Sequence, residues 1–279
     1  MKKMLYLFYA IFVIASMSHA TPLLWRGAKT IPAGKPIIMV GFGYTTINRS
    51  WDQANEEWID KPDSLQTTVI DAHFMLGYAP INKWEIMAHI PVMNKSQGDL
   101  SSLGLQDIWI KTRYNFLGGK GQPFLTGVAA VRIPMADENA DIVLDDRTLD
   151  IAAGAIFMHS VTPLVFHLKA GYWYNMKNDA EVDIGDEIEA IFKIDYILNN
   201  QITAFLNFSF LEGLKNKAED GTESGGKRRL NLIPGIVIKP APGLSIRPKF
   251  IFPIPVTAVN QLGSNFTWKI GLDVWFVPK

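Results

Sequence analysis

Charged side chains stand at every second position along several stretches of this sequence, with apolar residues between them. Over residues 107–116, Asp107, Lys111 and Arg113 alternate with Ile108, Ile110 and Tyr114. Over 167–175, His167 and Lys169 oppose Leu168, Ala170, Tyr172 and Tyr174. Lys269 and Asp273 share a face with Gly271, opposite Ile270, Leu272 and Val274. The same spacing groups Asp71 with His73, Glu85 with His89, Glu187 with Glu189, Lys193 with Asp195, and Arg247 with Lys249. Arg132, Asp150, Arg229 and Lys239 fall on the same polar faces. Groups of both signs on one face can pair with each other or draw small ions from water, and either chemistry is electrostatic.

Covalent chemistry has less to build on. His159 and Ser160 are adjacent, but no third group is placed to orient the imidazole. The acidic run at 136–146 lacks the regular oxygen spacing of a calcium loop and reads as a solvated loop. No cysteine is present, which removes disulfides, thiol nucleophiles and thiolate zinc sites. No catalytic residue, metal site or cofactor is expected, and the chain reads as non-enzymatic.

A two-residue period belongs to β-strands, whose side chains point alternately to opposite faces. Twelve segments carry it: 36–47, 65–78, 83–93, 104–117, 122–134, 147–159, 163–176, 186–198, 200–211, 228–240, 243–254 and 264–277. Each reaches the roughly 9–11 residues that a tilted strand needs to cross a bilayer. Connectors alternate between short ones, as at 118–121 and 241–242, and long ones, as at 135–146 and 212–227. Short turns on one side and long loops on the other describe an up-and-down transmembrane barrel. The fold expected is therefore all-β: an antiparallel β-barrel of about twelve strands with short periplasmic turns and longer extracellular loops.

Composition agrees. The 279 residues are 48% hydrophobic and only 19% charged, with 27 bases against 27 acids, so no basic excess calls for nucleic acid. Residues 1–20 read as a signal peptide for Sec-type export: Lys2 and Lys3, an apolar core, then Ser18-His19-Ala20 before the cleavage point. The apolar run at 4–17 falls short of the ~20 residues of a bilayer-spanning helix. A soluble β-sandwich or lipocalin-like barrel would turn its apolar faces inward, but twelve long strands supply more apolar face than one such core absorbs. Aromatics near the strand ends also form two girdles. Tyr78, Trp84, Tyr114, Phe116, Phe157, Tyr196 and Phe276 lie on the short-turn side, and Tyr44, Tyr174, Phe208, Phe210, Phe252 and Phe266 on the other. The bacterial outer membrane is the expected location.

In such a barrel the polar faces line the lumen, and the charged and histidine residues named above would set its selectivity. Residues 36–279 form the barrel and 21–35 a periplasmic N-terminal segment. A crossing along the rim to the first strand is favoured for that segment over tucking into the mouth as a plug.

Residues 104–114, Gly-Leu-Gln-Asp-Ile-Trp-Ile-Lys-Thr-Arg-Tyr, resemble the Gly-Leu-Gly-Asp…Lys-Tyr strand of transporter-like outer-membrane barrels associated with the meta-cleavage pathway of phenol degradation. That group is distantly like the fatty-acid transporter barrels. Residues 27–35 and 232–236 are similar to the same group. Gln106 departs from its glycine, and Val277-Pro278-Lys279 follow Phe276, where many bacterial barrels end on the aromatic itself. The resemblance implies uptake or diffusion of small hydrophobic or aromatic solutes without identifying one. The function expected is passive passage of small solutes through a charge-lined lumen. The alternative is a structural or surface-interaction barrel whose ion pairs fill that lumen. Expected partners are outer-membrane lipid and lipopolysaccharide, small-molecule solutes, and the barrel assembly machinery during biogenesis. A monomer is expected.

Overall fold

The computed structural model describes residues 23–278 apart from 25, 53–54, 56, 120, 138–139, 143, 145–146, 179–180, 225–226 and 255–267. The signal peptide and Phe266 lie outside the described residues.

Among the described residues twelve long strands close on themselves. They are β1 (Pro36–Ile47), β2 (Thr67–Ile81), β3 (Trp84–Gln97), β4 (Ile108–Gly119), β5 (Gln122–Ile133), β6 (Asp150–Val161), β7 (Leu164–Asn175), β8 (Glu187–Ile197), β9 (Ile202–Gly213), β10 (Lys227–Ala241), β11 (Leu244–Ile254) and β12 (Trp268–Phe276). Each is antiparallel to the next, and β12 returns to β1 with pairs from Ile38↔Phe276 to Thr46↔Trp268. Closure leaves no sheet edge, which a barrel in lipid requires because no water is there to satisfy free backbone groups.

The short-turn end is pinned by local chemistry. Asn199 Oδ1 accepts from the backbone N–H of both Gln201 and Ile202 at 2.8 Å, turning β8 into β9. Gly243, at φ 81°, turns β10 into β11 beneath the C-terminus, and a Cβ there would lie 2.2 Å from Val277 O. Its carbonyl accepts the Val277 N–H at 2.8 Å.

Burial runs opposite to that of a soluble protein. Leu168 is 60% exposed, Ile110 41% and Phe250 49%, whereas Lys111 and Glu85 are fully buried. The apolar faces form a continuous outer coat, a patch far larger than a water-soluble monomer tolerates, and the charged faces point inward. The short-turn girdle is exposed throughout. On the other side Tyr174, Phe208 and Phe252 are exposed, and Tyr44 and Phe210 are half-buried.

Three features depart from the sequence reading. β3 runs on to Gln97 and pairs with an additional strand, Leu100–Leu105, so residues 94–103 form a raised hairpin rather than a loop. The loop at 136–146 is not wholly solvated: Leu144 is buried with Val69 and Met93, Ile142 N–H donates to Ser102 Oγ at 2.8 Å, and Gln106 Nε2 donates to Leu144 O at 3.1 Å. This folds part of the loop inward over the long-loop mouth. The largest departure is at the start of the chain. Residues 23–24 and 26–31 do not cross along the rim; they enter the barrel.

Candidate functional site

The N-terminal segment enters because the barrel wall has a recess for it. Gly154 on β6 and Gly171 on β7 are direct ladder partners, and both face inward. A Cβ on Gly171 would lie 2.9 Å from Leu23 Cδ2, and one on Gly154 would lie 3.0 Å from Leu24 Cδ2. Ala130 and Ala152 continue the small-residue floor, and Trp109, Ile156, Met158 and Trp173 close over the two leucines. Burying two leucines stabilises the docked segment by about 3–6 kcal/mol before its ordering entropy is subtracted.

The segment's polar groups are met by barrel side chains. Glu85 takes Arg26 at 2.6 Å, Arg113 at 2.5 Å and the Ile31 N–H at 2.8 Å. Arg113 also donates to Gly27 O. Thr126 donates to Ala28 O at 2.5 Å, and Lys169 to Leu24 O at 2.6 Å. Strands β3, β4, β5 and β7 thus hold one short peptide, which plugs that half of the lumen.

Beyond the plug the ladders pair across the interior. Arg132 bonds Asp150 at 2.5 Å and Asn175 at 3.2 Å, and lies 3.5 Å from Asp107. Its guanidinium stands 4.9 Å from the Trp173 ring, and Lys111 stands 4.2 Å from Trp109. A row of rings, His73, His89, Trp109 and Trp173, crosses from β2 to β7 with centroids 5.1–5.8 Å apart. His73 lies 3.7 Å from both Asp71 and Asp273; it fits because Gly41 on β1 has no Cβ, which would fall 1.9 Å from the imidazole. Lys249 holds Asp273 at 2.9 Å, and Asp195 forms an ion pair with Lys193 at 2.7 Å and meets His167 at 2.8 Å.

The two halves of the interior differ in hydration. Asp71, His73, Glu85, Asp107, Lys111, Arg113, Arg132, Asp150, His167, Lys169, Glu189, Lys269 and Asp273 are all buried. Lys193, Arg229, Arg247 and Lys249 are half-buried, as are Phe205, Asn207, Ser209, Asn231 and Ile233 beside them. Inward-facing residues of β2–β7 are mostly buried, as are Glu187, Glu189 and Ile191 on β8, while Lys193 and Asp195 at the short-turn part of β8 and most inward-facing residues of β9–β11 are half-buried. Lys239, on the same polar face, is exposed at the short-turn end. Among the described residues no group of three or more His, Cys, Asp or Glu is arranged to hold a metal.

The sequence reading held a plug of the 21–35 segment, Arg26 included, as the less favoured course, and gave Leu23, Leu24, Gly154, Gly171, Asn115 and Thr126 no part in it. The available signal was glycine and alanine at inward positions of β5–β7, where neighbouring strands carry charge.

A closed twelve-stranded barrel with an apolar coat, a charged interior and an internal plug is an outer-membrane β-barrel. Its outer coat makes lipid its surroundings. Comparison with family models and with curated proteins finds no match. Solved structures do match. The chain is similar to an outer-membrane channel from Pseudomonas putida F1, with TM-score 0.78 and 13% identity over 90% of this chain and 98% of that one. It is also similar to the NanC porin, with TM-score 0.50 and 9% identity over 86% and 98% of the two chains. At these identities the likeness is one of fold.

Proposed function

We propose that the barrel lets small solutes diffuse passively along an off-centre path between the plug and the β8–β11 wall. The observation that carries this is the hydration asymmetry: one half of the interior is sealed by plug and ion pairs, and the other keeps half-buried polar side chains. A lumen filled throughout by side chains would leave neither wall accessible. Twelve strands lie between narrow eight-stranded barrels and open sixteen-stranded porins, so a passage beside a plug fits the circumference. The fold shared with the Pseudomonas putida channel supports the same reading. The resemblance of residues 104–114 to barrels associated with phenol degradation supports small aromatic molecules among the solutes.

The second reading, a non-conducting structural barrel, draws on the network around Glu85 and Arg132, which stiffens the dry half. Planar-bilayer recording of the purified, folded protein separates the two. Reproducible current steps are expected; silence at all voltages, with the protein still migrating as a folded barrel, overturns passage in favour of the structural role.

A further inference from the structure

We infer that the water-reached wall is a track for small amphiphilic anions, carboxylates above all, with Lys193 and Arg247 as its two binding posts; this rests on the passage proposed above. Each post is a base laid on an aromatic ring. Lys193 Nζ stands 4.8 Å from the Phe205 ring centroid, and the Arg247 guanidinium 4.4 Å from that of Trp275. A cation on a ring presents a charge beside an apolar face, which is the complement of a carboxylate attached to an apolar body.

Three other interior bases are committed elsewhere. Arg113 is held by Glu85 and Gly27 O, Arg132 by Asp150, and Lys169 by Leu24 O. Arg247 differs. Its ladder neighbour Asp273 is taken by Lys249 at 2.9 Å and faces His73. Lys193 does have a carboxylate, Asp195 at 2.7 Å, but Asp195 also meets His167, so one acid is divided between two bases. Between the posts, β9 and β10 contribute neutral Asn207, Ser209 and Asn231. An anion moving along this wall therefore meets cationic heads whose neighbouring acids, Asp195 and Asp273, are already engaged; a cation meets the same heads as a barrier.

The test uses the full-length folded protein in planar bilayers, with potassium chloride at unequal concentrations on the two sides and potassium benzoate as the organic probe. The wild type is expected to pass chloride in preference to potassium, and benzoate to reduce the chloride current as its concentration rises. Arg247→Gln and Lys193→Gln are each expected to lower the chloride-to-potassium ratio roughly fivefold, the effect of one charge acting across about 4 Å of water. Together they abolish the benzoate effect. A preference for potassium, or a benzoate response unchanged in the double variant, overturns the anion track while leaving passage intact. Absence of current in the folded wild type instead overturns passage, and the track with it.

Discussion

Gly154 and Gly171 face each other across the β6–β7 ladder, and a Cβ on either would press on a plug leucine, Leu24 at 3.0 Å and Leu23 at 2.9 Å, with Ala170 O closer still to Gly154 at 2.7 Å. Two glycines thus convert a length of barrel wall into a receptor for the chain's own N-terminal segment. Gly171→Val aims at the plug with less disturbance of the wall, since the nearest neighbour of a new Cβ is Leu23 at 2.9 Å and the nearest backbone atom is Ala153 O at 3.5 Å. The variant is expected to fold and release the plug. Because the chain has no cysteine, Leu24→Cys provides a unique label site. A water-soluble maleimide is expected to modify it slowly alone and rapidly beside Gly171→Val. Equal rates would show that the glycines do not seat the plug.

Glu85 is the sole carboxylate seen to bond both Arg26 and Arg113 among the described residues. Glu85→Gln removes the charge but preserves the shape, leaving Arg113 buried without its counter-ion. Breaking a buried pair from one side costs about 3–5 kcal/mol. Urea unfolding of the barrel in lipid vesicles is expected to shift to lower denaturant by a corresponding amount; an unchanged midpoint would mean that water already compensates Arg113.

Leu144 packs against Val69 and Met93 and lies against Gly104. Leu144→Asp places an unpaired carboxylate in that apolar contact, which is unfavourable enough to drive the loop out. Limited proteolysis of the reconstituted protein is expected to cleave within residues 136–146 faster in the variant. Identical cleavage rates would show that Ser102 and Gln106 hold the loop without the leucine.

Leu168 sits near mid-strand on β7 with 60% of its surface exposed to the surroundings. In lipid, Leu168→Arg is expected to cost about 2–4 kcal/mol, and Leu168→Phe very little. Folding yield into vesicles reads the difference. A well-tolerated arginine would argue against a lipid-facing position.

The strands were legible in the sequence because one pattern, charge alternating with apolar residues over bilayer-spanning lengths, determines both the element and the direction of each face. β5, expected at 122–134 and found at Gln122–Ile133, is typical. The Leu100–Leu105 strand was not legible: Ser101 and Ser102 give it no apolar alternation, and its pairing to β3 depends on a hairpin above the membrane. Nor was the plug. Leu23 and Leu24 are adjacent rather than periodic, and their receptor is assembled from β6 and β7, well over a hundred residues away. The contrast between the dry and hydrated walls arises only when the ring closes around an off-centre segment, so it belongs to no local stretch of chain.

The Lys169–Leu24 contact joins positions 145 residues apart. Contacts of such separation form late, since the intervening chain must be ordered before they add stability. The segment's seat does not exist until β7 has joined β6, so its docking follows that pairing. The ladders of the wall in turn use no residue of the docked segment, so the dependence runs one way: the plug needs the wall, and the wall's strand pairing does not need the plug.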